Sequence, residues 1–253
     1  MKAQFKYAFM AGLFARGPVF AVIFVMNTVF IILGSLNMLP IAAHITAVSL
    51  CGVGIAVMLA VNIIGDIAIA RRMFSSPEAY LHALTPVPRH KPLLAGVITM
   101  AAMDLVTMVY MIIAQVWLSL NMVGREAIQE FWNEFNAHNN LAIYIIGFIL
   151  LGIAAYLFIL MVIMFCVTAK KSIFYTLPAS GFLALLLACA CFYANNLLQL
   201  FLVPFSDIQR HLFFIILTPE SKIMFPVLIL LTLLEAGVLF VLSSKLLERR
   251  VNL

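Results

Sequence analysis

Two acidic residues lie deep inside apolar segments of this 253-residue sequence and are its clearest candidates for chemistry. Asp104 falls near the middle of one long apolar run, and Glu235 falls near the middle of another. A charged side chain at the bilayer centre costs at least ~2.5–3.5 kcal/mol, so each carboxyl group must face other helices, water or a partner protein. Two interpretations stay open: a translocation path that also includes Gln115 and Asn195, or hydrogen bonding between helices.

The basic residues sit in short runs between the apolar segments, so no lysine or arginine is expected at the depth of Asp104 or Glu235. These two side chains are therefore expected to be protonated, hydrogen-bonded to amides such as Gln115 or Asn195, or paired with another subunit. Asp66 lies nearer the end of its apolar run, where water is close. The simpler expectation for Asp66 is a local pairing with Arg71 or Arg72.

The residue patterns of enzymes that work in membranes are missing from the sequence. It contains no HExxH or GxSxG motif, and no acid pair lies on one face of a predicted membrane helix. The four cysteines lie inside apolar runs and the five histidines lack metal-ligand spacing, which argues against a disulfide framework or a zinc site. We therefore expect no catalytic residue, no metal and no cofactor in this chain.

The composition is that of a membrane protein. Hydrophobic residues make up 65% of the chain, charged residues make up 10%, and the mean hydropathy is +1.15. Soluble domains carry about 25% charged residues, and a soluble fold of this length could not bury so much apolar surface. The net charge of +5 does not indicate a nucleic-acid partner, because no long basic patch with interleaved aromatic residues occurs.

Six segments are long enough to cross a bilayer, which takes about 20 apolar residues: approximately 18–39, 41–69, 93–120, 141–168, 177–203 and 223–243. Residues 1–17 predict an amphipathic helix in the membrane interface that leads through Gly17 and Pro18 into the first span. Between the last two spans, the apolar stretch from Phe205 to Pro219 predicts a short helix that dips back into the outer leaflet. The expected fold is an all-α polytopic protein, with residues 1–253 forming one transmembrane permease domain.

The positions of lysine and arginine predict the orientation of these spans. With the N-terminus inside, 12 of the 15 basic residues, Arg16 among them, fall on the inner side, and only Arg125, Arg210 and Lys222 fall outside. The outer loop between spans three and four carries Glu126, Glu130 and Glu134 at a spacing of four, which predicts a short solvated helix. Both termini are therefore expected in the cytoplasm of a cell, most simply a bacterial one.

The longest inner loop, residues 71–96, predicts a short rigid helix. Ser76 can cap it, Pro77 suits the first helical position and Glu78 favours the positive end of the helix dipole. The apolar residues Tyr80, Leu81 and Leu84 then recur at helical spacing. Pro86 and Pro88 end the helix, and Arg89 follows near the membrane. A cytosolic helix that is short, sharply bounded and partly apolar is suited to docking another protein.

This loop resembles a phrase found in the permeases of type-two ABC exporters, "PEGYL…TLPVSR…LL". The corresponding segments here are Pro77-Glu78-Ala79-Tyr80-Leu81, Leu84-Thr85-Pro86-Val87-Pro88-Arg89 and Leu93-Leu94. The sequence departs from the phrase at three positions, with Ala79 where glycine is frequent, Pro88 for a small polar residue and Gly96 where a basic residue is common. The six-span layout is also similar to that family.

The resemblance implies a division of labour between two kinds of subunit. The chain has no GxxxxGK[ST] loop, so ATP and Mg would be bound by a separate ABC ATPase that contacts the 71–91 loop. Two permease chains, identical or different, and two ATPase chains would form the working exporter. The expected cargo is a drug, an antimicrobial peptide or a lipid, and import or lipid trafficking remains open.

Two alternatives lie outside the ABC class. One is a gradient-driven transporter or channel in which Asp104 and Glu235 handle protons or cations. The other is an intramembrane enzyme, such as a protease or a lipid-phosphate hydrolase.

Overall fold

The fold is all-α, as the sequence predicts. A computed structural model describes residues 2–36, 40–75, 90–137, 141–174, 176–202 and 221–251. The described residues form six helices and no strand: α1 (Lys2–Ser35), α2 (Ile41–Ser75), α3 (His90–Ala137), α4 (Leu141–Ser172), α5 (Ser180–Leu202) and α6 (Ser221–Val251). Each helix contains a segment long and apolar enough to cross a membrane, so the protein is a multi-pass membrane protein with six such helices.

Two helices run further than the sequence predicts. α1 continues through Gly17 and Pro18 instead of ending there, and its spanning segment begins at Gly12. A proline removes one backbone hydrogen bond, and membrane helices tolerate that loss. α3 likewise continues past the spanning segment His90–Asn121, through the acidic stretch that follows it, to Ala137.

Several predicted features lie outside the described residues. They include the proposed coupling residues of the 71–91 loop, and also the dipping helix between Phe205 and Pro219. The coupling residues concerned are Ser76, Pro77, Glu78, Tyr80, Leu81, Leu84, Pro86 and Arg89.

The described helices form two compact units. The first comprises Met1–Met73 and Ile98–Ala137, so it contains α1, most of α2 and most of α3. The second comprises Phe74–Val97 and His138–Leu253, in which α4 packs along α6 and α5. In this second unit, the Phe148 and Phe225 rings lie 5.7 Å apart, and the Phe158 and Phe192 rings lie 5.8 Å apart.

The first unit has a regular seam of buried side chains. On α3 the buried positions alternate between intervals of three and four residues: Asp104, Thr107, Met111, Ala114 and Leu118. A spacing of about 3.5 residues keeps one narrow face of a helix against its neighbours, as in left-handed helix bundles. Polar and apolar residues share this seam, which places the polar ones between helices and not in lipid.

Apolar layers follow the polar positions along the seam, toward the C-terminal ends of α1 and α3. Ile23, Met58 and Met111 form one buried cluster with one residue from each helix. Cys51, Ala114 and Leu118 form another. The Tyr110 hydroxyl also donates a hydrogen bond of 3.1 Å to the carbonyl of Phe24, which ties α3 to α1.

Replacing Met58 tests this packing. Met58 is fully buried, whereas its neighbour Leu59 is 49% exposed on the outward face of α2. We expect Met58→Ala to lower the free energy of unfolding by about 2–5 kcal/mol, because it empties the centre of a three-helix layer. Leu59→Ala is the matched control and should cost less than about 1 kcal/mol. Denaturant unfolding in detergent micelles measures both, and equal losses would contradict the proposed seam.

Candidate functional site

The most polar place in the first unit is a buried contact between one arginine and two aspartates. Arg16 of α1, Asp66 of α2 and Asp104 of α3 are only 2%, 1% and 2% exposed. The Nη2 atom of Arg16 forms an ion pair with Oδ1 of Asp66, and the same nitrogen lies 2.8 Å from Oδ1 of Asp104. A single guanidinium nitrogen therefore joins all three helices.

Hydrogen bonds extend this contact into a closed ring. Arg16 Nη2 donates to the backbone carbonyl of Asn62 at 3.2 Å, and the Asn62 side-chain amide donates to Thr107 Oγ1 at 3.0 Å. The Thr107 hydroxyl in turn donates to the carbonyl of Asp104 at 2.9 Å. We call Arg16, Asn62, Asp66, Asp104 and Thr107 the charge network.

Local helix geometry explains why these side chains meet. Asn62 and Asp66 are four residues apart on α2, and Asp104 and Thr107 are three apart on α3, so each pair lies on one helix face. Gly65 supplies the space for the arginine. A Cβ atom at that position would lie 2.5 Å from Nε and 2.9 Å from Cγ of Arg16. A glycine is therefore required where the Arg16 stem crosses α2.

The charge network corrects two predictions about the aspartates. Asp66 pairs with Arg16 and not with Arg71 or Arg72, which are both exposed. The expectation that no basic residue reaches the depth of Asp104 is also wrong, because Arg16 lies 2.8 Å from its carboxyl group. Arg16 lies only four residues inside the spanning segment that begins at Gly12, so its position along the chain indicated the membrane surface.

A signal for the buried arginine was present in the sequence. The buried positions Gly12, Arg16, Ile23 and Asn27 are separated by four, seven and four residues. This is the spacing of one helix face. An arginine in register with a glycine, an isoleucine and an asparagine points to the inside of a bundle, whereas Lys6 of the same helix is exposed.

The second unit contains a smaller polar cluster. The Asn195 side-chain amide of α5 donates to Oε2 of Glu235 on α6, and the Gln199 amide donates to Asn195 Oδ1 at 2.8 Å. Of the alternatives left open for Glu235, the structure shows a hydrogen bond to an amide, that of Asn195. Glu235 Oε1, the second oxygen of that carboxyl group, is buried and has no hydrogen-bond partner among the described residues.

The four predicted path residues thus occupy different surroundings. Asp104 belongs to the charge network, and Asn195 and Glu235 contact each other. Gln115 lies eleven residues, about three helical turns, beyond Asp104 on α3 and takes part in neither contact. Its Oε1 atom has no hydrogen-bond partner in the part of the chain that the structure describes.

The side chains of the charge network can bind a small charged species such as an ion or a proton. The charge network contains two carboxyl groups, one guanidinium, one amide and one hydroxyl group that is already engaged with the Asp104 carbonyl. Within the described ranges, no group of three or more His, Cys, Asp or Glu residues is arranged to hold a metal ion.

Comparisons with protein-family models, with curated proteins and with solved structures give no match. A function for the chain therefore has to be inferred from its membrane helices, its buried polar contacts and the 71–96 segment.

Removing the Arg16 charge tests whether the two aspartates depend on it. We expect Arg16→Gln to lower the free energy of unfolding by about 3–5 kcal/mol, because it leaves two buried carboxyl groups without their cation. Arg72→Gln is the same change at an exposed position and should cost less than about 1 kcal/mol. Denaturant titration in micelles, monitored by circular dichroism, measures both free energies of unfolding. A larger loss for Arg72→Gln than for Arg16→Gln would indicate that Asp66 pairs with Arg71 or Arg72 instead.

The space beside Gly65 gives a second test. The Cβ atom of Gly65→Ala would displace the Arg16 stem, and we expect a loss of about 1–3 kcal/mol from this overpacking. Gly52 of the same helix has no atom within 4 Å of a Cβ atom placed there. Gly52→Ala should therefore be neutral or stabilise by up to about 1 kcal/mol through its helix propensity. If both alanines behave alike in thermal unfolding, the close approach of Arg16 to α2 is wrong.

Proposed function

We propose that this chain is the membrane-spanning subunit of an ATP-driven exporter of the type-two ABC class. The observation that carries the proposal is the phrase from Pro77 to Leu94 and its place in the chain. α2 ends at Ser75 and α3 begins at His90, so most of the phrase occupies the connection between the second and third membrane helices. That is where the resemblance to this class of permeases requires the docking element.

In this proposal the chain forms the translocation pathway and a separate ABC ATPase supplies the energy. The ATPase would bind ATP and Mg, dock on the 71–91 loop and work on a pair of permease chains. The loop and both termini would face the cytoplasm, in agreement with the distribution of 12 inner and three outer basic residues. The site of action would be the cell membrane.

The charge network would help to transmit movement of the docking loop. The loop connects directly to α2 and α3, and both helices contribute an aspartate to the contact with Arg16. Displacement of the loop would therefore act on two helices that are joined to α1 by a short ion-pair network. Movement of packed helices as a body is a common route for switching between transport states.

The proposed cargo is apolar or amphipathic: a drug, an antimicrobial peptide or a lipid. The described spanning segments expose large apolar side chains over most of their surface, for example Val22, Leu105 and Leu230. Such faces are covered by lipid or by a second chain, and they suit the passage of molecules that partition into membranes.

A gradient-driven transporter or channel is the second candidate. It is favoured by the two aspartates that share one arginine in the first unit, and by Glu235 in the second. Buried acidic groups of this kind are typical of proton and cation pathways in membranes.

Co-purification distinguishes the two candidates. The affinity-tagged chain, extracted from its native membrane, should retain an ABC ATPase, and ATP hydrolysis should co-elute with it. Glu78→Ala and Arg89→Ala should lower the retained ATPase at least several-fold without changing the helix content of the purified chain. Exposed residues of α6 provide charge-matched controls, Glu248→Ala and Lys245→Ala, which should leave the yield unchanged.

A gradient-driven mechanism predicts a different result. The purified chain in liposomes would then move cargo or ions in response to a pH or ion gradient, with no nucleotide and no companion subunit. Such transport would overturn the proposed ATPase-coupled function.

A further inference from the structure

The charge network contains one more acidic group than basic groups. Among the side chains that the structure describes on α1, α2 and α3, the buried charged ones are Arg16, Asp66 and Asp104, whereas Lys6 on α1 and Arg71 and Arg72 on α2 are exposed. With both aspartates ionised, the buried site would carry a net charge of −1. Among the described residues of this unit, the other buried titratable side chains are Cys51 and His44, which lie about 22 Å and about 33 Å along α2 from Asp66 at 1.5 Å per residue.

An uncompensated charge at such a place is costly. Removing an ion from water to a site of low dielectric constant costs several kcal/mol unless a counter-charge offsets it, and one guanidinium offsets one carboxylate. Both carboxyl groups contact the same nitrogen of Arg16, which holds their two Oδ1 atoms close to each other. Two ionised carboxylates at this separation repel, whereas one proton between them turns the repulsion into a hydrogen bond.

We propose that the Arg16–Asp66–Asp104 contact is a proton-binding site, in which the two carboxyl groups hold a single proton. One carboxylate then neutralises the guanidinium and the other group is a neutral carboxylic acid. Ca²⁺ or Mg²⁺ is a poor alternative occupant, because either ion needs six or more oxygen ligands and the guanidinium already contacts both carboxyl groups. The site stands on these contacts alone and does not depend on the proposed ATPase partner.

Unpaired polar atoms at the site allow the Arg16 guanidinium to change hydrogen-bond partners when the proton leaves. Arg16 uses Nη2 for both carboxyl groups, while its Nε and Nη1 atoms are buried without a hydrogen-bond partner among the described residues. The Asn62 side chain is 3% exposed, and its Oδ1 atom is also buried without a hydrogen-bond partner among the described residues. A guanidinium with two spare donors can re-pair bidentately with either aspartate, so proton release has a built-in way to alter the contacts between α1, α2 and α3.

The site also lies within reach of water. Asp66 is seven residues, about 10 Å, from the Met73 end of its spanning segment at 1.5 Å per residue. Arg16 lies about one helical turn inside the spanning segment that begins at Gly12. A proton can therefore enter from one membrane surface after a local opening, without crossing the whole bilayer.

Infrared difference spectroscopy of the full chain in lipid nanodiscs tests the proposal. A protonated carboxyl group has a C=O stretch that is separate from the carboxylate bands and shifts in deuterated water. We expect such a band at neutral pH, and its loss at alkaline pH with release of one proton per chain. Asp66→Asn and Asp104→Asn should each abolish this band, because either leaves one carboxylate for one guanidinium. Glu235→Gln is the control, and the band should persist in that variant.

A second variant keeps the test decisive where a single substitution prevents folding. Arg16→Met combined with Asp66→Asn and Asp104→Asn leaves no charge to bury, so it should retain the helix content of the native chain. It must lack the band. Absence of a protonated-carboxyl band from the native chain at neutral pH would overturn the proposal, and so would its persistence in this triple variant. ATPase co-purification is a separate measurement, so the proton site and the exporter assignment can fail independently.

Discussion

The ion pairs between Arg16 and the two aspartates are the interaction on which the first unit depends. In a bilayer, apolar side chains gain little by leaving lipid for a protein interface, so apolar packing alone does not choose which helices meet or in which register. A buried charge does choose, because any other register would leave it facing hydrocarbon. Arg16 is 50 residues from Asp66 along the chain, and this one contact sets how α1 lies against α2.

The apolar layers then have a more limited role. Ile23, Met58 and Met111 fill the space that the ion pairs define, and their contribution is close packing. A buried ion pair is itself weak evidence for stability, since its desolvation offsets much of the attraction. Its effect here is to specify which side chains meet: Asn62 and Thr107 close the ring, and Gly65 leaves room for the Arg16 stem.

The sequence predicts the parts of this fold that depend on one helix at a time. Hydropathy and length identify all six membrane helices, because the bilayer demands a run of apolar residues whatever the tertiary structure. Contacts between helices are different. A hydrogen bond from an amide such as Asn195 was one of the alternatives that the sequence left open for Glu235, whereas Arg16 was assigned to the surface because it lies near the start of α1. Depth along one helix does not tell how far an arginine reaches toward the next.

The proposed transport function would require that such a bundle have more than one arrangement, and the charge network would supply a physical basis for two. A core made only of interlocking apolar side chains resists small displacements in every direction. The Arg16 guanidinium contacts two carboxyl groups through one nitrogen and has two further nitrogens without a hydrogen-bond partner among the described residues, so it can pair with either aspartate. α2 ends and α3 begins at the 76–89 connection, so a force applied there would act on the two helices that carry Asp66 and Asp104.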